Sequence, residues 1–101
     1  MLNITKNAEG GKLAIALEGR LDTGTAPSLE AELNAPDFDK VEELVFDFDK
    51  LDYISSAGLR VLLAAHKKMA KQGGMKLVNV SEEVMEILDI TGFTDILTIE
   101  K

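Results

Sequence analysis

The sequence predicts an α/β domain on a mixed β-sheet: an N-terminal hairpin, then strands that pair in parallel. Three observations carry this. Large apolar residues alternate with others at Leu13, Ile15 and Leu17, and again at Leu44, Phe46 and Phe48, the period of a strand with one buried face. Elsewhere apolar residues recur at helical spacing, as in Leu29/Leu33 and Leu59/Leu62/Leu63/His66/Met69. From the second strand onward a single helix separates each strand from the next, which implies parallel pairing through right-handed crossovers.

The elements follow in order. Leu2 and Ile4 alternate with polar residues, and Asn7-Ala8-Glu9-Gly10-Gly11 supplies turn chemistry, so residues 2–6 and 12–18 form a β-hairpin. Gly19 to Thr25 breaks the second strand. Thr25 is the expected N-cap of a helix over 26–34, Pro27 sits in its first turn where a missing N–H costs nothing, and Pro36 ends it. Asp37 to Lys40 reads as a charged loop. A strand over Leu44–Phe48 gives way to an acidic crossing, then to a Ser55-Ser56-Ala57-Gly58 corner and an apolar helix. That helix closes at Gly73-Gly74, with Lys67, Lys68 and Lys71 as a solvated face in its last turns. Met75 to Val80 is a short strand. Ser81-Glu82-Glu83 opens another helix with a capping serine and first-turn carboxylates, and Val84, Ile87 and Leu88 form its buried stripe. Thr91-Gly92-Phe93 ends it, and Ile96, Leu97 and Ile99 add a last short strand. Residues 1–101 contain no internal repeat or low-complexity linker and are read as one domain.

Composition excludes several functions. The 101 residues carry 18 Asp plus Glu against 11 Lys plus Arg, a formal charge of −7. Nucleic-acid binding rests on basic groups that neutralise phosphates, so no nucleic-acid partner is expected. With no cysteine there is no disulfide, thiolate metal site or thiol nucleophile, which fits a cytoplasmic protein. No apolar run approaches the roughly 20 residues of a membrane helix, and Met1-Leu2-Asn3-Ile4 lacks a secretion pattern, so no membrane insertion is expected.

The stretch with chemical interest is the corner. A serine hydroxyl where a strand turns into a helix is exposed and lies beside backbone N–H groups with no intrahelical partner. Ser56 reads either as an N-cap or as an exposed acceptor of a modification. It does not read as a hydrolase nucleophile. The nucleophile elbow needs Gly-x-Ser-x-Gly, and position 54 is Ile. The only histidine, His66, lies about 15 Å down the same helix at ~1.5 Å per residue and reads as a partly buried helix residue. Gly10-Gly11 and Gly73-Gly74 do not fit a phosphate loop. Asp47, Asp49 and Asp52 read as an acidic surface rather than a cation site. No catalytic residue, metal or cofactor is expected.

Gly19-Arg20-Leu21-Asp22, then Thr25-Ala26, then Asp47-Phe48 leading through Ile54-Ser55-Ser56-Ala57-Gly58-Leu59 to Leu62, resembles the STAS domain family, the bacterial anti-sigma factor antagonists. The resemblance extends through Lys76-Leu77-Val78-Asn79-Val80 to Ile90-Thr91-Gly92-Phe93, so it covers essentially the whole chain. It implies a mixed sheet with helices packed mainly on one face, and a non-enzymatic role in partner switching. In that role the unmodified antagonist binds an anti-sigma factor that is also a serine kinase and holds ATP. Phosphorylation of one corner serine breaks the complex, and a serine phosphatase restores it. The family corner usually reads Asp-Ser-Ser/Thr-Gly-Leu-Gly, with the first hydroxyl residue after the Asp phosphorylated. Aligned on Gly58-Leu59, Ser55 falls where the Asp usually sits, Ser56 at the phosphoacceptor, Ala57 at the second hydroxyl and Arg60 at the usual glycine. Ser56 is thus the implied site, with Ser55 the alternative. Asp22, Thr25, Ser55, Ser56, Ala57, Gly58 and Arg60 are the implied partner-binding residues; for Asp22 and Thr25 a turn and helix cap is the competing reading. Within the family the alternative function is a STAS subunit of a lipid-transport or signalling-scaffold complex that is never phosphorylated.

A phosphate on Ser56 adds about −1.5 to −2 charges. A helix N-terminus favours such charge by ~0.3–1 kcal/mol at an exposed site, so the fold is expected to survive. Asp22, Asp47, Asp49 and Asp52 are expected to ring the serine and repel the added charge.

Overall fold

The period-two runs of the sequence become the centre of a five-stranded sheet. The computed structural model describes residues 2–100, the side chains of 36 and 37 apart. Strands β1 (Leu2–Glu9), β2 (Lys12–Leu21), β3 (Glu43–Ile54), β4 (Gly74–Val78) and β5 (Thr98–Ile99) lie side by side in chain order. Only the β1/β2 hairpin is antiparallel; β2/β3, β3/β4 and β4/β5 are parallel. Helices α1 (Ala26–Leu33), α2 (Ser56–Ala70) and α3 (Glu82–Ile90) supply the crossovers. Leu13, Ile15 and Leu17 on β2, Leu44, Phe46 and Phe48 on β3, and Met75 and Leu77 on β4 all point to one face, where they meet Leu29, Leu62, Met69, Val84 and Leu88 from the helices in one core. The opposite face carries Ala14, Ala16, Val45, Asp47 and Val78, and among the described residues no helix covers it. The helices therefore pack on one face of a mixed sheet, as the family resemblance implies.

Several boundaries differ from expectation, for identifiable reasons. β3 does not stop near Phe48 but runs to Ile54. Its register with β2 passes from Ala16↔Asp47 to Glu18↔Lys50 and from Gly19↔Leu51 to Arg20↔Tyr53, so β3 carries one extra residue at each step. Each bulge moves the buried face on by one residue. The core positions become Phe48, Leu51 and Ile54 in place of strict alternation, which is why the segment reads as an acidic crossing in the sequence. β2 likewise continues through Gly19 and Arg20 to Leu21. β4 ends opposite Asp47, so the ends of β2 and β3 project past it as a two-stranded ribbon.

The hairpin is longer than expected, with β1 reaching Glu9 and the turn confined to Gly10-Gly11. Pro36–Lys40 winds into a 3-10 turn where a loop was expected. On α2 the buried stripe is Leu59, Val61, Leu62, Ala65 and Met69, with Val61 and Ala65 replacing Leu63 and His66 because α1 packs along that side. Lys68 is not simply solvated. Its ammonium lies 3.5 Å from the Asp39 carboxylate and 5.1 Å from the centre of the Phe38 ring. Together with Gln72, whose amide donates to the carbonyls of Phe38 and Val41 at 3.0 and 2.8 Å, it ties the 3-10 turn to the end of α2.

Candidate functional site

The corner sits at the end of the projecting ribbon. Leu21 and Ile54 are cross-strand partners, and the Ser55 N–H donates to the Leu21 carbonyl at 2.8 Å, which locks the end of β3 to the end of β2. The chain then turns into α2. Ser55, with extended backbone (φ −96°, ψ 174°), is the N-cap; its Oγ accepts from the Gly58 N–H at 3.3 Å, and its carbonyl accepts from the Leu59 N–H at 2.9 Å. Ser56 is not the cap. It is the first residue of the helix, exposed, and among the described residues its hydroxyl has no hydrogen-bond partner. The capping role that the sequence offered to Ser56 thus falls to Ser55.

Gly58 allows the corner to close this tightly. It is buried, and a Cβ there would lie 2.6 Å from Leu21 Cγ and 3.1 Å from Ile54 Cγ1. Gly58 therefore serves the close seating of α2 and presents no side chain at the surface. Ala57 is half-buried against the core, and Arg60 is exposed one turn below Ser56. Thr23, Ala26, Pro27 and Glu30 face Ala57 and Arg60 across a shallow depression of about 220 Å³ between the starts of α1 and α2.

Asp22 and Thr25 shape the loop beside this corner. Asp22 Oδ1 accepts from the N–H groups of Gly24 at 3.0 Å and Thr25 at 3.1 Å. The Thr25 hydroxyl oxygen accepts from the Asp22 N–H at 2.9 Å, and its one hydrogen is shared between the Arg20 carbonyl at 2.8 Å and Asp22 Oδ1 at 3.2 Å. Thr25 occupies the N-cap position of α1 but makes no capping bond, because its hydroxyl is turned back into this loop; the expected cap is corrected to a turn staple. Partial desolvation is the largest single influence on the Asp22 carboxyl and pushes its pKa up. The donors from Thr25 and Gly24 together outweigh it and hold the group below the ordinary Asp value.

The expected ring of four aspartates does not form. Asp22 adjoins the corner through the Leu21–Ser55 bond, but Asp47 lies seven residues of strand before Ile54, on the order of 23 Å at ~3.3 Å per residue. Asp47 Oδ1 accepts from the Asp49 N–H at 3.0 Å and the Asn79 amide at 3.1 Å, so it braces the first bulge and the turn after β4, where Asn79 takes φ 56°. Among the described residues no group of three or more His, Cys, Asp or Glu side chains is placed to hold a metal ion. His66 is half-buried in mid-α2, a partly buried helix residue off the fully buried stripe. Sequence reasoning missed the stacking of Arg20 over the Tyr53 ring, 4.4 Å to its centre, with Arg20 Nε 3.9 Å from Asp22 Oδ2. Arg20 and Tyr53 precede Leu21 and Ile54, but their pairing emerges only once both bulges are counted.

Sheet, crossovers and serine corner together define a small α/β domain in which an exposed serine hydroxyl, without a partner among the described residues, opens a helix. The STAS domain model matches residues 3–101, and the chain belongs to that family. It is 39% identical over 100 residues to BtrV of Bordetella bronchiseptica, a candidate anti-sigma factor antagonist, covering 97% of this chain and 85% of the relative. It is 31% identical over 99 residues to the anti-sigma-B factor antagonist of Bacillus subtilis, covering 97% and 90%. Among solved structures, an anti-sigma factor antagonist from Mycobacterium paratuberculosis superposes with a TM-score of 0.88 at 24% identity, over 99% of this chain and 86% of that one. The phosphorylated form of the Bacillus cell fate determinant SpoIIAA superposes with a TM-score of 0.75 at 19% identity, over 98% and 92%. At these identities the two structures bear on the fold. No described helix is long and apolar enough to cross a membrane.

Proposed function

We propose that the protein is an anti-sigma factor antagonist that docks through the Ser56 corner onto an anti-sigma factor with serine kinase activity, and that phosphorylation of Ser56 releases it. The observation that carries this reading is the division of labour at the corner: the Ser55 oxygen is committed to capping α2, while the exposed Ser56 hydroxyl has no partner among the described residues. An acceptor must reach into a kinase site without dismantling its own fold, and Ser56 meets that requirement where Ser55 does not. Asp22 and Thr25, fixed by their turn, and Ala57, Gly58 and Arg60 complete the docking surface. The domain acts as the substrate of its partner's chemistry and supplies none of its own; ATP belongs to the partner, and a serine phosphatase resets the switch in the cytoplasm.

The added charge disrupts binding because a phosphate pressed into an interface beside Asp22 must be desolvated next to a carboxylate. Losing ~3–4 kcal/mol of binding lowers affinity several hundred-fold, enough for a switch. The test is incubation with ATP and the serine kinase encoded by the same organism, followed by peptide mass spectrometry. The expected result is one phosphoryl group on Ser56, absent from Ser56→Ala and retained in Ser55→Ala. Phosphate on Ser55, or none at all, overturns the reading.

A further inference from the structure

We infer that a phosphate on Ser56 is captured within the same chain by Arg60, an inference that rests on the phosphorylation reading above. Ser56 and Arg60 stand at i and i+4 on α2, and both are exposed. That spacing puts their Cβ atoms about 5–6 Å apart. Long side chains on a helix run back over the turn N-terminal to their own Cα, so the guanidinium of Arg60 has the reach to fold back over Ser56. An anion one turn N-terminal to a cation is also the favourable order along a helix.

Arg60 is available for this and Arg20 is not. These are the two arginines of the chain. Arg20 is stacked over Tyr53 and faces Asp22, whereas Arg60 has no carboxylate within ion-pair distance among the described residues. Glu30 of α1 lines the same depression as Arg60 and is the competitor for it in the unmodified protein. A phosphate, with up to two charges and three acceptor oxygens, matches the planar guanidinium fork better than a single carboxylate across that depression. Capture would have two effects. It neutralises part of the new charge at the corner, so the modified domain keeps its fold. It also withdraws Arg60 from the docking surface as the phosphate appears, which adds to partner release. The glycine that the family pattern usually places at this position could do neither.

The experiment is a phosphorus NMR titration of protein carrying phosphoserine incorporated at position 56 during translation, in wild type, Arg60→Gln and Arg60→Met. The phosphate of the wild type is expected to lose its second proton about 0.2–0.4 pH unit lower than in either variant, with Arg60→Lys in between and the difference collapsing in high salt. Charges common to all forms, those of Arg20, Asp22 and Glu30 among them, cancel in the comparison. If the phosphate titrates alike in all forms, the capture does not occur. A packing role alone would lower the melting temperature of the unphosphorylated variants and leave the titration unmoved, which also overturns the inference. Because the phosphate is installed and not transferred, failure of the kinase to use Ser56 would sink the proposed switch without touching this result. A flat titration alongside an intact kinase reaction would sink only the capture.

Discussion

Gly58→Ala separates tertiary packing from helix propensity, because the two predict opposite signs. Position 58 lies in the first turn of α2, where alanine is favoured over glycine by up to about 1 kcal/mol. Propensity alone therefore predicts a more stable protein. The structure predicts the reverse. The new Cβ would lie 2.6 Å from Leu21 Cγ, 2.9 Å from Leu21 Cδ2 and 3.1 Å from Ile54 Cγ1. Leu21 is fully buried and Ile54 is 1% exposed, so neither can swing into solvent. Overpacking of this kind costs about 1–3 kcal/mol. The net loss is about 1–2 kcal/mol, or roughly 5–15 °C in melting temperature for a domain of this size. Thermal and urea unfolding measure it, with the midpoint falling and the slope unchanged. The double variant Leu21→Ala/Gly58→Ala supplies the mechanism. Leu21→Ala alone opens a cavity costing about 2–5 kcal/mol, and the methyl group introduced at position 58 then occupies part of it, so the pair is less destabilised than the sum by about 0.5–3 kcal/mol. A Gly58→Ala protein as stable as the wild type, or strict additivity of the pair, refutes the close-packing account of the corner.

Other expected outcomes concern the corner and its neighbouring loop. Ser55→Ala removes the cap of α2 and costs about 1 kcal/mol, read as a drop of roughly 4–8 °C, while Ser56→Ala leaves the melting temperature within about 2 °C. A reversed order would place the cap on the wrong serine. Ser56→Asp is expected to weaken binding to the kinase partner roughly ten- to a hundredfold in a calorimetric titration and to keep the melting temperature within about 4 °C of wild type; parallel loss of both would show the charge acting through the fold. Asp22 has a folded-state pKa below its ordinary value, so its stabilising effect is present above the unfolded-state pKa and is lost as pH falls through the folded one. Asp22→Asn should therefore flatten the acid limb of the stability–pH curve below the ordinary Asp range and leave the slope near neutrality unchanged. An acid limb identical to wild type would contradict the hydrogen-bond geometry of that loop.

The fold is readable where one physical rule acts without interruption. Leu13/Ile15/Leu17 and Leu44/Phe46/Phe48 each bury one face of a strand, so alternation reports the strand, its inward face and the parallel pairing required by the intervening helix. It fails past Phe48, because two bulges change the spacing of core residues from two to three and no local residue preference announces a bulge. The same failure spreads Asp47, Asp49 and Asp52 along the outside of a strand where the sequence suggests a cluster around Ser56. The helix stripe is misplaced by less, from Leu63 and His66 to Val61 and Ala65, because spacing gives the period of a helix but the neighbouring α1 decides which flank is covered.

The site shows a finer limit of the same kind. Two adjacent serines before a glycine and an apolar helix mark a capped corner, and that much is local chemistry. Which serine caps is decided elsewhere. Leu21 holds the Ser55 N–H, which fixes Ser55 in extended backbone at the end of β3. Gly58, seated on Leu21 and Ile54, fixes where its own N–H, the third of α2, points, and that N–H meets Ser55 Oγ. Shifting the β2/β3 register by one residue would hand the cap to a neighbour and commit or release the wrong hydroxyl. The two bulges therefore do more than bend the ribbon. They set the phase with which β3 arrives at its end, and so determine which hydroxyl, Ser55 or Ser56, is committed to the cap and which is left exposed.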